Sequence, residues 1–251
     1  MSIHCSPLKP VRINNDRSDS YSSNPKSSCY ISHDEAVRFR EAALFAYCSG
    51  RPLNEFVTIH YDKAEVSDRG QFRALLCKLL GNWLSRRCGF PACYVWVMEN
   101  PPRWLNGRGG LHLHLVAHVP RGIRPQFRTR LKKWIEQAGG KMKPGALKRK
   151  AVRHSGPEAD PEMYLKHGIW GLVRYLLKGM SDEIAAMPEI TRENQGVVIG
   201  KRIGYSEALG EQHRWHPVAV SSRPGLFIAG QDSRRRHWVR LVCPELLGLE
   251  G

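Results

Sequence analysis

The run Gly110-Leu-His-Leu-His-Leu-Val-Ala-His-Val-Pro120 alternates with a period of two. Side chains along a β-strand point to opposite faces. Leu111, Leu113, Leu115, Ala117 and Val119 therefore form an apolar face that anchors the strand in a core, while His112, His114, Val116 and His118 share the other. Two imidazoles one strand repeat apart, His112 and His114, are presented to one region, which is how a strand offers two nitrogen ligands to a metal ion.

Working outward, Ala92-Cys-Tyr-Val-Trp-Val-Met-Glu99 reads as a second strand, joined to the first by the loop Asn100 to Gly110. A short connection favours antiparallel pairing and brings Glu99 within reach of the two histidines. Two imidazoles and a carboxylate leave open positions for Mg²⁺ or Mn²⁺, which a substrate phosphate can fill. His118, further along the same face, competes with Glu99 as the third ligand. Glu55-Phe-Val-Thr-Ile-His-Tyr-Asp62 alternates in the same manner, so His60 and Asp62 share a face and could line the same site.

Around these strands, Ser32-His-Asp-Glu35 is a capping-box pattern opening a helix to about Ser49. Ser67-Asp68 caps a second helix that ends near Cys88-Gly89, and a basic amphipathic helix runs from about Pro125 to Gln137. Lys141 to His154 is a loop or a short strand, and Glu162 to Met180 holds a helix best defined over Gly168 to Lys178. This order predicts an α+β fold in which a central antiparallel sheet carries its helices on one face, leaving the other free for ligand. Residues 1–30, rich in Ser, Asn, Asp and Pro, read as a disordered tail. Residues 31–180 form the core, and 181–251 an extension packed on it. Within the extension, Val197 to Gly210 reads as a strand and turn and Ser233 to Leu246 as a helix.

In that last core helix, Tyr175 and Lys178 lie three apart and share a helical face. A phenol is a poor nucleophile at its ordinary pKa of about 10. A neighbouring cation and a metal-polarised phosphate both ease its attack. Tyr164, in Tyr164-Leu-Lys166, is the alternative nucleophile. Tyr175 is preferred because its helix is bounded by glycines and carries the lysine on the same side.

The 251 residues carry 39 Lys and Arg against 23 Asp and Glu, a formal net charge of +16. Such an imbalance speaks of polyanionic partners rather than of fold. With no run of 18 apolar residues to span a bilayer and no apolar signal core over Met1 to Pro10, nucleic acid is favoured over a membrane. Arg128, Arg130, Lys132 and Lys133, then Lys141, Lys143, Lys148, Arg149, Lys150 and Arg153, and finally Arg234 to Arg236 supply candidate phosphate contacts. Trp104, Trp170 and Trp215 are candidates to stack unpaired bases. The seven cysteines (Cys5, Cys29, Cys48, Cys77, Cys88, Cys93, Cys243) are odd in number and include no C-x-x-C pair, which reads as reduced thiols in a cytoplasmic protein.

An H-hydrophobic-H strand, preceded by a strand ending in an acidic residue and followed by Y-x-x-K, resembles the HUH superfamily of DNA-nicking enzymes. Within it, the single tyrosine with its trailing lysine is similar to the rolling-circle replication initiators of plasmids, phages and small circular DNA viruses. The resemblance runs from Phe56-Val-Thr-Ile-His60 through Glu99 and His112-Leu-His114 to Tyr175-Leu-Leu-Lys178, about half of the chain. It implies a sheet of ferredoxin-like or RNA-recognition-like arrangement, with a divalent metal held by His112, His114 and Glu99. It also implies attack by Tyr175 on single-stranded or hairpin DNA at a replication origin, giving a 5′-phosphotyrosine, with Lys178 orienting the phosphate. There is no G-x-x-x-x-G-K-[ST] loop, so unwinding and synthesis would fall to a host helicase and polymerase. Single-tyrosine transposases and conjugative relaxases use similar parts, although relaxases typically add a third histidine to the metal motif and place the tyrosine near the N-terminus. From another class, a non-catalytic nucleic-acid-binding domain of the same fold remains the competing reading.

Overall fold

The computed structural model describes residues 27–102, 110–155, 160–181, 190–191 and 193–214. The helix expected at Ser233–Leu246, the arginines 234–236, Trp104, Trp215 and residues 1–26 of the expected tail lie outside the described residues. A short antiparallel pair joins β1 (Ser27–Ser28) to β6 (Val198–Ile199). The main sheet has five antiparallel strands: β2 (Glu55–His60), β3 (Tyr94–Glu99), β4 (His112–Ala117), β5 (Leu147–Ala151) and β7 (Ile203–Tyr205). Their order across the sheet is β5-β2-β4-β3-β7. The fold is therefore α+β around an antiparallel sheet. Among the described residues no helix is long and apolar enough to cross a membrane.

The alternation in β4 does what its residues dictate. Leu111, Leu113, Leu115 and Ala117 pack with Val57, Ile59, Trp96 and Met98 of the neighbouring strands in one apolar layer. Two helices close that layer: α2 (Arg69–Cys88) through Phe72, Leu76, Leu80 and Trp83, and α3 (Arg124–Gln137) through Phe127, Leu131, Trp134 and Ile135. α2 begins at Asp68, whose carboxylate accepts from the Gln71 amide at 2.8 Å. It ends at Gly89 in the left-handed conformation that glycine adopts without strain. Glu55, wholly buried on this side, is paired by Arg128 at 3.0 Å and Arg124 at 3.6 Å, which seats the start of α3.

The expectation that all helices gather on one face is corrected by the structure. Helix α1 (His33–Cys48), opened by the capping box of Ser32 and Glu35, lies on the opposite face. Its Phe39, Ala42, Ala43 and Ala46 meet Val95, Val97, Val116 and Ile203. That face also takes a short helix α4 (Pro161–Met163), a wide π-type segment over Tyr164–Ile169, and α5 (Trp170–Leu176). The reason lies in the strands: Val95, Val97 and Val116 make part of the second face as apolar as the first, and it has to be covered. Among the described residues, the end carrying His112 and His114 is left as the floor of a cleft.

The remaining elements settle what the sequence left open and in places depart from it. Of the two readings of Lys141 to His154, a loop or a short strand, the strand holds, as the edge strand β5 (Leu147–Ala151). The helix expected over Gly168–Lys178 stops at Leu176, and Leu177–Gly179 turn so that Ile31 can bond Gly179 and bridge Met180. The segment after residue 197 supplies β7, whose Gly204 crosses the Trp96 ring so closely that a Cβ would sit 2.6 Å from it. Ser27–Ser28, within the expected tail, are strand. After β7 the described chain closes with α6 (Glu211–Arg214), whose buried Arg214 bonds the carbonyls of Leu209 and Arg38 and pairs Glu41 at 2.8 Å.

Leu113→Ala removes a fully buried side chain from the centre of the first layer. It is expected to cost about 2–5 kcal/mol in denaturant unfolding. Ile199→Ala, on a residue 61% exposed, is expected to change stability by less than about 0.5 kcal/mol; equal losses would show that the core lies elsewhere.

Candidate active site

Register decides what faces the open end. In the antiparallel pairing His60 stands opposite His112, and Glu99 stands opposite His112 from the other side. Two steps along, Thr58 and Val97 flank His114 in the same way. Residues directly opposite share a face, so His60, His112, Glu99, Thr58 and His114 occupy one patch of sheet. The His60 and His112 rings meet edge to face at 4.2 Å between centroids, and His112 and His114 at 6.1 Å. The patch floors a cleft of about 1040 Å³ whose walls include Phe56, Tyr175, Lys178, Glu193, Lys148 and Lys150.

The Glu99 carboxylate organises the polar contacts. It is 2% exposed, and its Oε2 lies 3.1 Å from His114 Nε2 and 3.3 Å from Lys178 Nζ. Burial by itself would raise this carboxyl. The His114 hydrogen bond and the Lys178 ammonium outweigh it and hold the group below the usual carboxylate value. An ionised carboxylate only accepts, so Nε2 of His114 carries the proton, and its Nδ1 faces Thr58 Oγ1 at 2.9 Å. Lys178 is also burdened by burial, yet Glu99, Tyr175 and Glu193, the last 3.5 Å away, keep it a firm cation.

Tyr175 sits over this group. Its ring centroid is 5.6 Å from that of His114 and 6.2 Å from that of Phe56, and Lys178 Nζ lies 4.4 Å from its centre. It is 44% exposed. Burial of part of the ring and the nearby Glu99 charge raise the phenol above its ordinary value, with Lys178 opposing them. Tyr175 and Lys178 do meet, though not as two positions of one helix: Lys178 lies in the turn after α5. Gly168 permits the close approach of this helical stretch to the turn after β5, because a Cβ there would strike the Arg153 carbonyl.

The alternatives left open by the sequence separate cleanly. Tyr164 is 2% exposed, donates to the Leu53 carbonyl at 3.0 Å and stacks on Tyr47, so it is a core residue. His118 lies past the end of β4 with its Nδ1 2.8 Å from the Pro52 carbonyl, away from the cleft. Asp62 follows the end of β2, where the alternation breaks, and lines a smaller adjoining pocket with Asn100 and Gly110. Of the basic residues, Lys148 and Lys150 face the cleft from β5, opposite Thr58 and Phe56. Arg130, Lys132 and Lys133 are exposed on α3, behind the sheet, and Lys141 and Lys143 pair with Glu65. Trp170 lies against the Arg40 guanidinium. Sequence reading missed Thr58 and Glu193; the first was visible as a polar residue in the Phe56-x-Thr58-x-His60 alternation, whereas nothing marks the second.

The donor chemistry fits a divalent metal. Burial and neighbouring positive charge push His60 and His112 down to about 4, so both rings are neutral with a lone pair near neutral pH, as ligation requires. Glu99 Oε1 and His60 Nε2 are buried without a hydrogen-bond partner among the described residues. As the side chains stand, no group of three His, Cys, Asp or Glu among the described residues is closed into a metal cage; His114 Nε2 is engaged with Glu99. Comparison with family models, curated proteins and solved structures finds no match to this chain.

Tyr164→Phe leaves the buried Leu53 carbonyl without its donor and is expected to cost about 1–2 kcal/mol in thermal or denaturant unfolding. Tyr175→Phe is expected to stay within about 0.5 kcal/mol of the parent. The reverse ranking would mean that Tyr175, not Tyr164, serves the core.

Proposed function

We propose that the protein is a metal-dependent endonuclease and strand transferase that nicks and rejoins single-stranded DNA through a 5′-phosphotyrosine, starting rolling-circle replication in the cytoplasm. The observation that carries this reading is the meeting of a half-exposed phenol, Tyr175, with the Lys178 ammonium and the His114 imidazole over one cleft edged by lysines. His112, His114 and Oε1 of Glu99 would hold Mg²⁺ or Mn²⁺, which when bound supplies neutralisation of charge on a scissile phosphate. Ligation by His114 requires it to give up its hydrogen bond to Glu99.

The chain's own residues do the rest. Lys148 and Lys150 on the edge strand draw the phosphate backbone across the open end of the sheet. Lys178 holds a non-bridging phosphate oxygen beside Tyr175, and its positive charge grows in value as charge builds in the transition state. The Tyr175 oxygen bonds to phosphorus and loses its proton; the bond from phosphorus to the 3′ oxygen breaks, and that oxygen takes a proton. A 3′-hydroxyl is released to prime synthesis, and attack by a second 3′-hydroxyl reverses the step and joins strands. Separation of the duplex and extension of the primer are assigned to a host helicase and polymerase.

Incubated with Mn²⁺ and a labelled pool of single-stranded and hairpin oligonucleotides, the protein is expected to form an adduct that survives a denaturing gel. Tyr175→Phe is expected to abolish it while DNA binding persists, and Lys178→Ala to slow it by about 10²-fold. DNA binding by the wild type with no adduct under any condition tried would replace this reading with a non-catalytic binding domain. Replacing Lys148 and Lys150 by Gln is expected to weaken single-strand binding and to flatten its salt dependence by about 0.7 for each phosphate no longer neutralised. An unchanged slope would remove the edge strand from the DNA path.

A further inference from the structure

We infer that His60 is a third imidazole of the metal site, so that the cleft selects a first-row transition ion over Mg²⁺. This deepens the metal-dependent reading above and rests on it.

The register places His60, His112 and Glu99 in a single row across three neighbouring strands, on the face that floors the cleft. The His60 ring is closer to His112, at 4.2 Å, than His114 is, at 6.1 Å. His60 stands at the last residue of β2, so its backbone is held on both sides, by the pairing with His112 and by its own amide donating to the Ala146 carbonyl at 2.9 Å. Among the described residues its Nε2 nonetheless has no hydrogen-bond partner, and neither does Oε1 of Glu99 in the same row. A buried polar atom left unpaired is costly, and here two of them flank one histidine. As they stand these groups form no closed metal cage among the described residues; side chains drawn in around a cation would satisfy both atoms at once, which no hydrogen bond between described groups does.

The consequence is chemical. Mg²⁺ takes oxygen ligands and keeps its waters, whereas imidazole nitrogens suit the later first-row ions. Three imidazoles and one carboxylate oxygen make a nitrogen-rich set in which Mg²⁺ is a poor occupant and Co²⁺ or Zn²⁺ a good one. Without His60 the set falls to two nitrogens and one oxygen, and the discrimination shrinks.

The test is titration calorimetry on the metal-stripped full-length protein with the metal salts alone. Co²⁺ is expected to bind about 100-fold more tightly than Mg²⁺. His60→Asn is expected to weaken Co²⁺ by at least about tenfold while changing Mg²⁺ by less than about threefold, its fold checked by thermal unfolding. Independently of any variant, pulsed EPR of the Mn²⁺-loaded wild type is expected to show three coordinated nitrogens. Co²⁺ binding that vanishes in His112→Ala but is unchanged in His60→Asn, a count of two nitrogens, or Mg²⁺ binding as tight as Co²⁺ would each overturn the role of His60 and leave the metal site standing. Wild-type protein that binds none of the ions would overturn the metal site and this inference together.

Discussion

The site depends on cross-strand register. β4 is paired on both edges, and each pairing sets a histidine opposite the residue it works with: His60 and Glu99 across from His112, Thr58 and Val97 across from His114. A slip of one residue in either ladder would turn those side chains to the other face, putting imidazoles into the layer formed by Leu113, Leu115 and the helices α2 and α3. The cost of burying unpaired imidazoles there and of exposing the leucines makes the observed register the stable one. The core therefore guards the site geometry without touching it.

Next in the hierarchy is the buried charge at Glu99. A carboxylate at 2% exposure persists only when paired, and Lys178 and His114 share the same oxygen of it. That pairing draws the end of α5 onto the sheet and brings Tyr175 with it. Buried ion pairs add little net stability, but removing one partner is severe because the other is left uncompensated. Glu99 is thus better understood as the group that locates Tyr175 and Lys178 relative to the imidazoles than as a source of folding energy. Glu193, closer to solvent, completes the lysine's pairing from the far side.

The second face of the sheet shows how coverage and opening are divided. Where β3 and β4 present Val95, Val97 and Val116, α1 and α5 close over them; where the same strands present Glu99, His112 and His114, the helices stop and the cleft begins. Edge strand β5 borders this opening with Lys148, Arg149 and Lys150. An exposed strand edge invites unwanted pairing, and a run of cations discourages it. The same cations make this border of the cleft positively charged.

Strand and helix placement around His112 and His114 was legible in the sequence, because alternation at period two and the caps at Ser32 and Asp68 are local properties of the chain. The pairing of β3 with β4, and hence the approach of Glu99, followed from the short connection between them. What was not legible is whatever depends on distant segments meeting: β7 joining the sheet beside β3, α1 crossing to the second face, Glu193 reaching Lys178. Tyr164 and Tyr175 looked alike as residues near a lysine, and only burial separates them, since one hydroxyl is consumed by Leu53 inside the core and the other is left in the cleft. By itself the sequence determined which side chains share a face, since that is set by backbone geometry one residue at a time. The tertiary structure alone decided which of those faces is covered and which stays open, since burial is a property of the whole packed chain.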